Sequence, residues 1–166
     1  MTVIIVEGVD GAGKTTLINE LSSQLNYDVV KGSSFELSSC TNEELYNKFN
    51  DMTTLDNVVF DRFIYSNEVY APLYKDFALL TDEQRREIER KMSHKAIIVY
   101  LYADTETLID RINVRGDDYV TVDKLDTIKE KYDESMSKVR GIGVLRFNTT
   151  NTSTIEIVEF ISSLIK

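Results

Sequence analysis

Two rhythms of apolar and polar positions run through the chain. Val3-Ile4-Ile5-Val6 is apolar at every position, as in a parallel strand covered on both faces. Just beyond it, Leu17, Ile18, Leu21 and Leu25 recur at helical spacing and predict a helix over 14–25. Further strands are predicted at 27–30, 57–61, 96–102 and, more briefly, 144–147. A short helix seated by Leu45, Tyr46 and Phe49 follows Thr41, which with Glu44 forms a capping box. A helix over 64–74 should be disturbed by Pro72, and a strongly polar one runs over 81–93. Helices at 105–114 and 125–139 flank the break at Arg115-Gly116-Asp117-Asp118. The last helix, 155–165, carries the stripe Ile155, Val158, Ile161, Leu164 and Ile165. Strands separated by helices predict an α/β three-layer sandwich: a five-stranded, mostly parallel sheet covered by helices on both faces. No repeat, long linker or composition change divides residues 1–166, so one domain is expected.

The turn after the first strand specifies chemistry. Residues 8–15 read GVDGAGKT, the phosphate-loop pattern G-x-x-x-x-G-K-[ST] in its strand–turn–helix context. Gly8, Gly11 and Gly13 let the backbone close around phosphate oxygens, and the amides of Ala12 and of the helix start point at the anion. Lys14 supplies charge to the outer phosphates and Thr15 a hydroxyl for Mg2+. Thr16 either starts the helix or contacts the inner phosphate. The fold expected is therefore that of the phosphate-loop (P-loop) nucleotide-binding enzymes, P-loop kinases among them, with ATP and Mg2+ as cofactors. Asp61 ends an apolar strand, where such enzymes place an acid near the metal, and Arg62 offers a planar fork for an acceptor phosphate. Arg111 and Arg115, four apart, share a helical face next to glycine and acidic residues. They mark a lid segment around 111–123, with Arg115 on the transferring phosphate and Arg111 a nucleotide or transfer contact.

Charge and cysteine content narrow the setting. With 28 acidic and 19 basic residues the formal charge is -9, which argues against a broad nucleic-acid or anionic-membrane surface. Phosphate affinity must then be local. Cys40 is the lone cysteine, so no intrachain disulfide forms, and a reducing, cytoplasmic location fits. No signal peptide or membrane span is expected. His94, the lone histidine, sits between a polar helix and a strand and reads as boundary structure.

The stretch from Val6 to Thr16, VEGVDGAGKTT, resembles the E-G-x-D-G-x-G-K-[ST]-T loop of thymidylate kinase and the related nucleoside monophosphate kinases. Asp61-Arg62-Phe63, Ser66 and Val69-Tyr70-Ala71 resemble that family's D-R-[YFH]-x-x-S-x-x-A-Y-Q stretch. The late strand, helix and arginines resemble its lid region more generically. Two departures stand out. Ala71 replaces the glutamine that commonly helps recognise the base, and 31–36 does not reproduce R-E-P-G. The resemblance implies transfer from ATP to a deoxynucleoside monophosphate, dTMP or a related pyrimidine nucleotide. It implies acceptor-site roles for Asp10, Asp61, Arg62, Ser66 and Tyr70, a catalytic set of Lys14, Asp10, Arg62, Arg111 and Arg115, and a homodimer. Glu7 either acts directly or orders the loop. Phe35 stacks on the acceptor base or packs in the core, and Glu36 beside it contacts sugar or base. Residues 148–152 border the adenine, near which Arg146 is a weaker candidate. Two other functions stay open: a deoxynucleoside kinase with a 5′-hydroxyl acceptor, whose base would be Glu36 or Asp61, and a nucleotide-binding switch without transfer.

Overall fold

The structure is a computed structural model that describes residues 1–33, 39–74, 76–116 and 122–165. Phe35, Glu36 and the 117–121 part of the expected lid lie outside the described residues. The elements run β1 (Val3–Gly8), α1 (Lys14–Leu25), β2 (Asp28–Lys31), α2 (Asn42–Met52), β3 (Val58–Asp61), α3 (Ile64–Tyr70), α4 (Asp82–Met92), β4 (Ala96–Tyr102), α5 (Thr105–Arg115), α6 (Val122–Ser137), β5 (Gly143–Asn148) and α7 (Thr154–Ile165). The five strands form one sheet in the order β2-β3-β1-β4-β5, and all four pairings are parallel.

Right-handed crossovers follow from that order. The β1-to-β2 connection carries α1 to one face, and the connections running the other way carry α2 to α6 to the opposite face. The contacts agree: α1 meets α7, while α3 and α5 meet α6. The helix after β1 thus leaves on the side opposite to those after its neighbours β3 and β4. This opens a crevice at the carboxyl end of β1, where ligands bind in open α/β sheets. β1 is buried along its whole length.

Local chemistry sets the element ends. Thr41 and Thr81 each cap a helix with a complete capping box, through Glu44 and Gln84. Asn42 and Gln84 also bond to each other, which ties the starts of α2 and α4 together. Pro72 ends α3 as expected: residues Ala71–Leu73 form a single 3-10 turn. Phe49 from α2 packs edge-on against Phe63 at 5.3 Å, and Phe63 meets Phe60 at 4.9 Å. Phe63 is therefore core, and its burial anchors the residue before it, Arg62.

The polar helix α4 holds a surprise. Its inner stripe is Arg85, Ile88, Glu89 and Met92, all buried. The Arg85 guanidinium lies 3.3 Å from Glu89 and 3.1 Å from Glu68, and donates to the Ser135 carbonyl at 2.9 Å. Tyr65 donates to Glu89 and Ser135 to Glu68. A buried arginine is tolerable only when its charge and donors are met. This network pairs the charge and binds both terminal nitrogens, leaving Nε beside Glu89 without a hydrogen bond, and it joins α3, α4 and α6.

Candidate active site

The phosphate loop spans Gly8 to Lys14 in the crevice. At Gly8 φ is +148°, and a Cβ would collide with the Leu101 carbonyl oxygen of β4, so only glycine lets the loop start this close to the sheet. Lys14 is 8% exposed. Its Nζ donates to the Val9 carbonyl at 3.0 Å and lies 4.0 Å from Asp10. Burial, with Arg62 adding repulsion, lowers its pKa from 10.5 to about 7 against the pull of Asp10, Asp61 and Glu7. Thr15 and Thr16 are exposed at the start of α1.

Arg62 closes the other side. Its backbone has φ +66°, an uncommon conformation for a side-chain-bearing residue. Gly32 makes room for it, since a Cβ there would collide with the Arg62 carbonyl oxygen. The guanidinium donates to Asp10 at 2.7 Å, Tyr132 at 2.7 Å and Ser66 at 3.2 Å, and sits 5.0 Å above the Tyr70 ring. Burial opposes its charge, but Tyr132, Tyr70 and Asp10 raise its pKa. The Asp10 carboxylate stays half-exposed. Asp61 is partly buried at the end of β3, in register with Val6. Gly32→Ala should displace Arg62 and destabilise the fold by about 1–3 kcal/mol. Urea denaturation reads this, and unchanged stability would refute the packing argument.

Glu7 turns out to be the hub of the site. It is fully buried at the end of β1. One carboxylate oxygen accepts the backbone N–H groups of Phe63 (2.7 Å) and Ser66 (3.3 Å), the cap and third position of α3. The other accepts from the Ser66 hydroxyl, at short range, and from Tyr132 at 3.4 Å. A strand carboxylate thus caps α3, and Ser66 bonds across to β1 rather than back to its own helix. Burial raises the Glu7 pKa from 4.5 to about 7, although Ser66, Arg62 and the Phe63 amide pull it down. The folded protein therefore holds this proton more tightly than the unfolded chain. The resulting stabilisation is complete below about pH 4.5 and is lost as pH rises through 7. Glu7→Gln stays neutral, and its amide nitrogen can face the two hydroxyls. Its stability relative to wild type should improve by about 3 kcal/mol between pH 4.5 and 8. A difference that stays flat with pH would rule out this role.

On the α1/α7 face a cavity of about 330 Å³ adjoins the loop. Gly13, Thr16, Arg111, Arg115, Thr149 and Thr152 contribute to its wall. Arg111 donates to the Gly11 carbonyl (3.0 Å) and to the Thr149 hydroxyl and carbonyl (2.9 Å each). The Thr149 hydroxyl in turn donates to the Ala12 carbonyl at 2.9 Å. Arg111 and Thr149 therefore staple the crest of the phosphate loop to the turn after β5. Arg115 is exposed at the end of α5. Arg146 lies elsewhere: it sits over the Tyr100 ring and 3.7 Å from Asp133 of α6, on the opposite face of the sheet from this cavity. Strand parity thus places this weaker candidate for an adenine contact on the α6 face of the sheet. Phe147, one residue on, meets Phe160 of α7. His94 is exposed, as a boundary residue would be.

Lys14, Asp10, Arg62, Ser66 and Tyr70 are thus brought together on one side of the loop, and Thr16, Arg111 and Arg115 on the other. Tyr132 and the central place of Glu7 were missed by sequence reasoning, as was the bonding of Thr149, within the turn 148–152, to the phosphate loop. Among the described residues no cluster of three or more His, Cys, Asp or Glu side chains could hold a metal by itself, and no helix is long and apolar enough to cross a membrane.

Comparison with known proteins agrees with this geometry. The chain is 44% identical to the SPbeta prophage-derived protein YorR of Bacillus subtilis over 166 residues, all of both chains. The crystal structure of YorR in complex with phosphorylated GDP superimposes with a TM-score of 0.94, covering 99% of this chain and 95% of that one. Deoxyadenosine kinase from M. mycoides with bound dATP shares the fold at 21% identity, with a TM-score of 0.61 and all of both chains covered. A probable thymidylate kinase of Picrophilus torridus is 24% identical over 87% of this chain and 86% of its own. The thymidylate kinase likeness is a weak one at this identity. Residues 31–166 match the deoxynucleoside kinase family, so the chain is a P-loop phosphotransferase that belongs to that family.

Proposed function

We propose that the protein transfers the terminal phosphoryl group of ATP to a deoxynucleoside monophosphate, dTMP or a related pyrimidine nucleotide, giving the diphosphate. The observation that carries this reading is the Arg62 guanidinium, fixed beside Asp10 and near Lys14 at the mouth of the phosphate loop. A phosphate acceptor needs a fixed cation and no general base, because it is already ionised near neutral pH. A 5′-hydroxyl needs a base. The buried carboxylate of this site, Glu7, has both oxygens occupied.

In this reading an oxygen of the acceptor phosphate attacks the terminal phosphorus of ATP, the bond to the bridging oxygen breaks, and ADP leaves. Lys14 exchanges the Val9 carbonyl for the outer phosphates. Arg62 clamps the acceptor phosphate, and Asp10 turns its free oxygen to the sugar. Tyr70 and Ser66 complete the acceptor wall. Arg111 holds the loop crest, and Arg115 reaches the transferring group. Mg2+ suits this donor set, since it takes few protein ligands and several phosphate and water oxygens. Thr15 and Asp61 would hold it, where it neutralises developing phosphate charge.

A deoxynucleoside kinase is the second reading. The family match favours it, as does the half-exposed Asp10 carboxylate, which is placed to accept a hydroxyl proton. The complex of YorR with phosphorylated GDP supports nucleotide binding and adds GTP to the donors to be tried. Diphosphate formation from ATP or GTP with deoxynucleoside monophosphates and their nucleosides, with products identified, decides between them. Products from monophosphates support the first reading, and products from nucleosides alone overturn it. Binding without transfer points to a switch. The same reading carries a cytoplasmic homodimer of two 19.0 kDa chains, which light scattering tests.

A further inference from the structure

Arg62 is held from inside by a residue with no motif. Tyr132 on α6 is fully buried. Its hydroxyl lies 2.7 Å from Arg62 Nη1, 2.8 Å from the Ser66 hydroxyl and 3.4 Å from Glu7. It thus touches one polar group from β1, one from α3 and the residue that follows β3. Its ring stacks on Tyr100 at 5.7 Å and meets the edge of Tyr70 at 6.0 Å. Packed on two sides, with only two side-chain torsions, the hydroxyl has little freedom to move.

The helix that carries it is pinned as well. One turn further along α6, the Ser135 carbonyl accepts from Arg85 and the Ser135 hydroxyl donates to Glu68. These bonds fix the rotation and axial register of α6 against α3 and α4. A buried hydroxyl is costly unless satisfied, and a purely apolar contact would be served by phenylalanine. Asp10, the other strong partner of Arg62, is half-exposed and free to turn toward a substrate. Tyr132 and Ser66 are the holds that remain once it does.

We infer that Tyr132 is a positioning residue of the acceptor site: it aims the Arg62 guanidinium through a hydroxyl fixed by the α3–α6 clamp. The inference rests on the reading of Arg62 as the acceptor contact. It requires no contact between Tyr132 and substrate. Its effect passes through Arg62, so loss of the hydroxyl should matter only while the planar fork is present.

Tyr132→Phe removes one oxygen and keeps the ring. The acceptor KM should rise about 10–100-fold, with the triphosphate KM within about twofold. In an Arg62→Lys background the same change should cost less than about twofold, because the fork it positions is gone. Unchanged acceptor kinetics, or a cost that multiplies in full with Arg62→Lys, would overturn the inference. A measurement on the wild-type protein needs no variant to fold: the Arg62 guanidinium should show slow rotation about its Nε–Cζ bond by nitrogen NMR, and rotation as fast as in free arginine would also overturn it. Kinetics are read on whichever acceptor the protein phosphorylates. Activity confined to nucleosides would remove the monophosphate reading while leaving the NMR result to decide on Tyr132.

Discussion

Lys14→Met is expected to lower kcat by at least about 10²–10³-fold while making the ligand-free protein more stable. The two effects share one cause. Lys14 keeps an ammonium group in a buried loop, where its pKa falls to about 7. That cost is tolerated because the charge is needed when phosphates arrive. Methionine has a similar length and no charge. The Val9 carbonyl would lose the Lys14 donor at 3.0 Å but keep the Ala12 amide at 3.2 Å, so it is not left unpaired. A gain on the order of a few kcal/mol is expected near neutral pH, because a lysine whose folded pKa falls from 10.5 to about 7 destabilises the fold wherever the unfolded chain keeps it charged. Thermal or urea unfolding without nucleotide measures it. A less stable variant would mean that the lysine supports the empty loop.

The same displacement predicts how nucleotide affinity follows pH. In the free protein Lys14 releases its proton near pH 7. A bound triphosphate restores the charge and raises the pKa again. Above pH 7 the complex therefore holds more protons than the free partners, and this contribution to affinity falls as pH rises toward 9. Calorimetry at pH 8 in buffers of different ionisation heat should show proton uptake for wild type and none for Lys14→Met. Absence of uptake in wild type would place the lysine proton elsewhere.

How far the sequence reached can be judged element by element. The loop from Gly8 to Thr15 was legible because its chemistry is contiguous: glycines, lysine and hydroxyl must follow one another between a strand and a helix. The apolar runs likewise placed all five strands, and the shifts were small, as with β2 at Asp28–Lys31 rather than 27–30. The meeting of Glu7 and Tyr132 was not legible in the same way, since it spans 125 positions: the loop motif that contains Glu7 says nothing of such a partner, and Tyr132 has no local pattern. Arg85 and Glu89 were hidden differently. Positions 85, 88, 89 and 92 carry helical periodicity, but two of the four letters are charged, so the inner face of α4 read as part of a solvated helix. The positive φ of Arg62 left no trace, because no glycine marks it; the glycine that permits it, Gly32, lies on another segment. Arg146 shows an available signal passed over. Phe147 faces α7, so its neighbour must face α6.

Replacing Arg62 should produce the largest loss on the acceptor side. Arg62→Lys keeps a positive charge but not the fork that spans Asp10 on one side and Tyr132 and Ser66 on the other. A fall in kcat/KM for the acceptor of about 10²–10³-fold is expected, with the triphosphate KM changed only a few-fold. Arg62→Ala removes the charge too and carries a stability cost of about 1–3 kcal/mol, from the buried Ser66 and Tyr132 oxygens left without their donor rather than from the half-exposed Asp10. Here the cost should depend on pH. Arg62 is one of the groups that hold the Glu7 pKa down, so removing it drives Glu7 further above about 7. At pH 6 Glu7 is then protonated and needs no cation. At pH 8 the folded protein must either ionise it without Arg62 or hold a proton that the unfolded chain has released. The folded pKa being raised, stability falls as pH rises through it, and the Arg62→Ala penalty should be larger at pH 8 than at pH 6. Urea unfolding of both proteins at the two pH values reads the difference directly. A penalty that shrinks toward pH 8 would uncouple Arg62 from Glu7, and with it the view that one arginine both steadies the buried carboxylate and meets the acceptor.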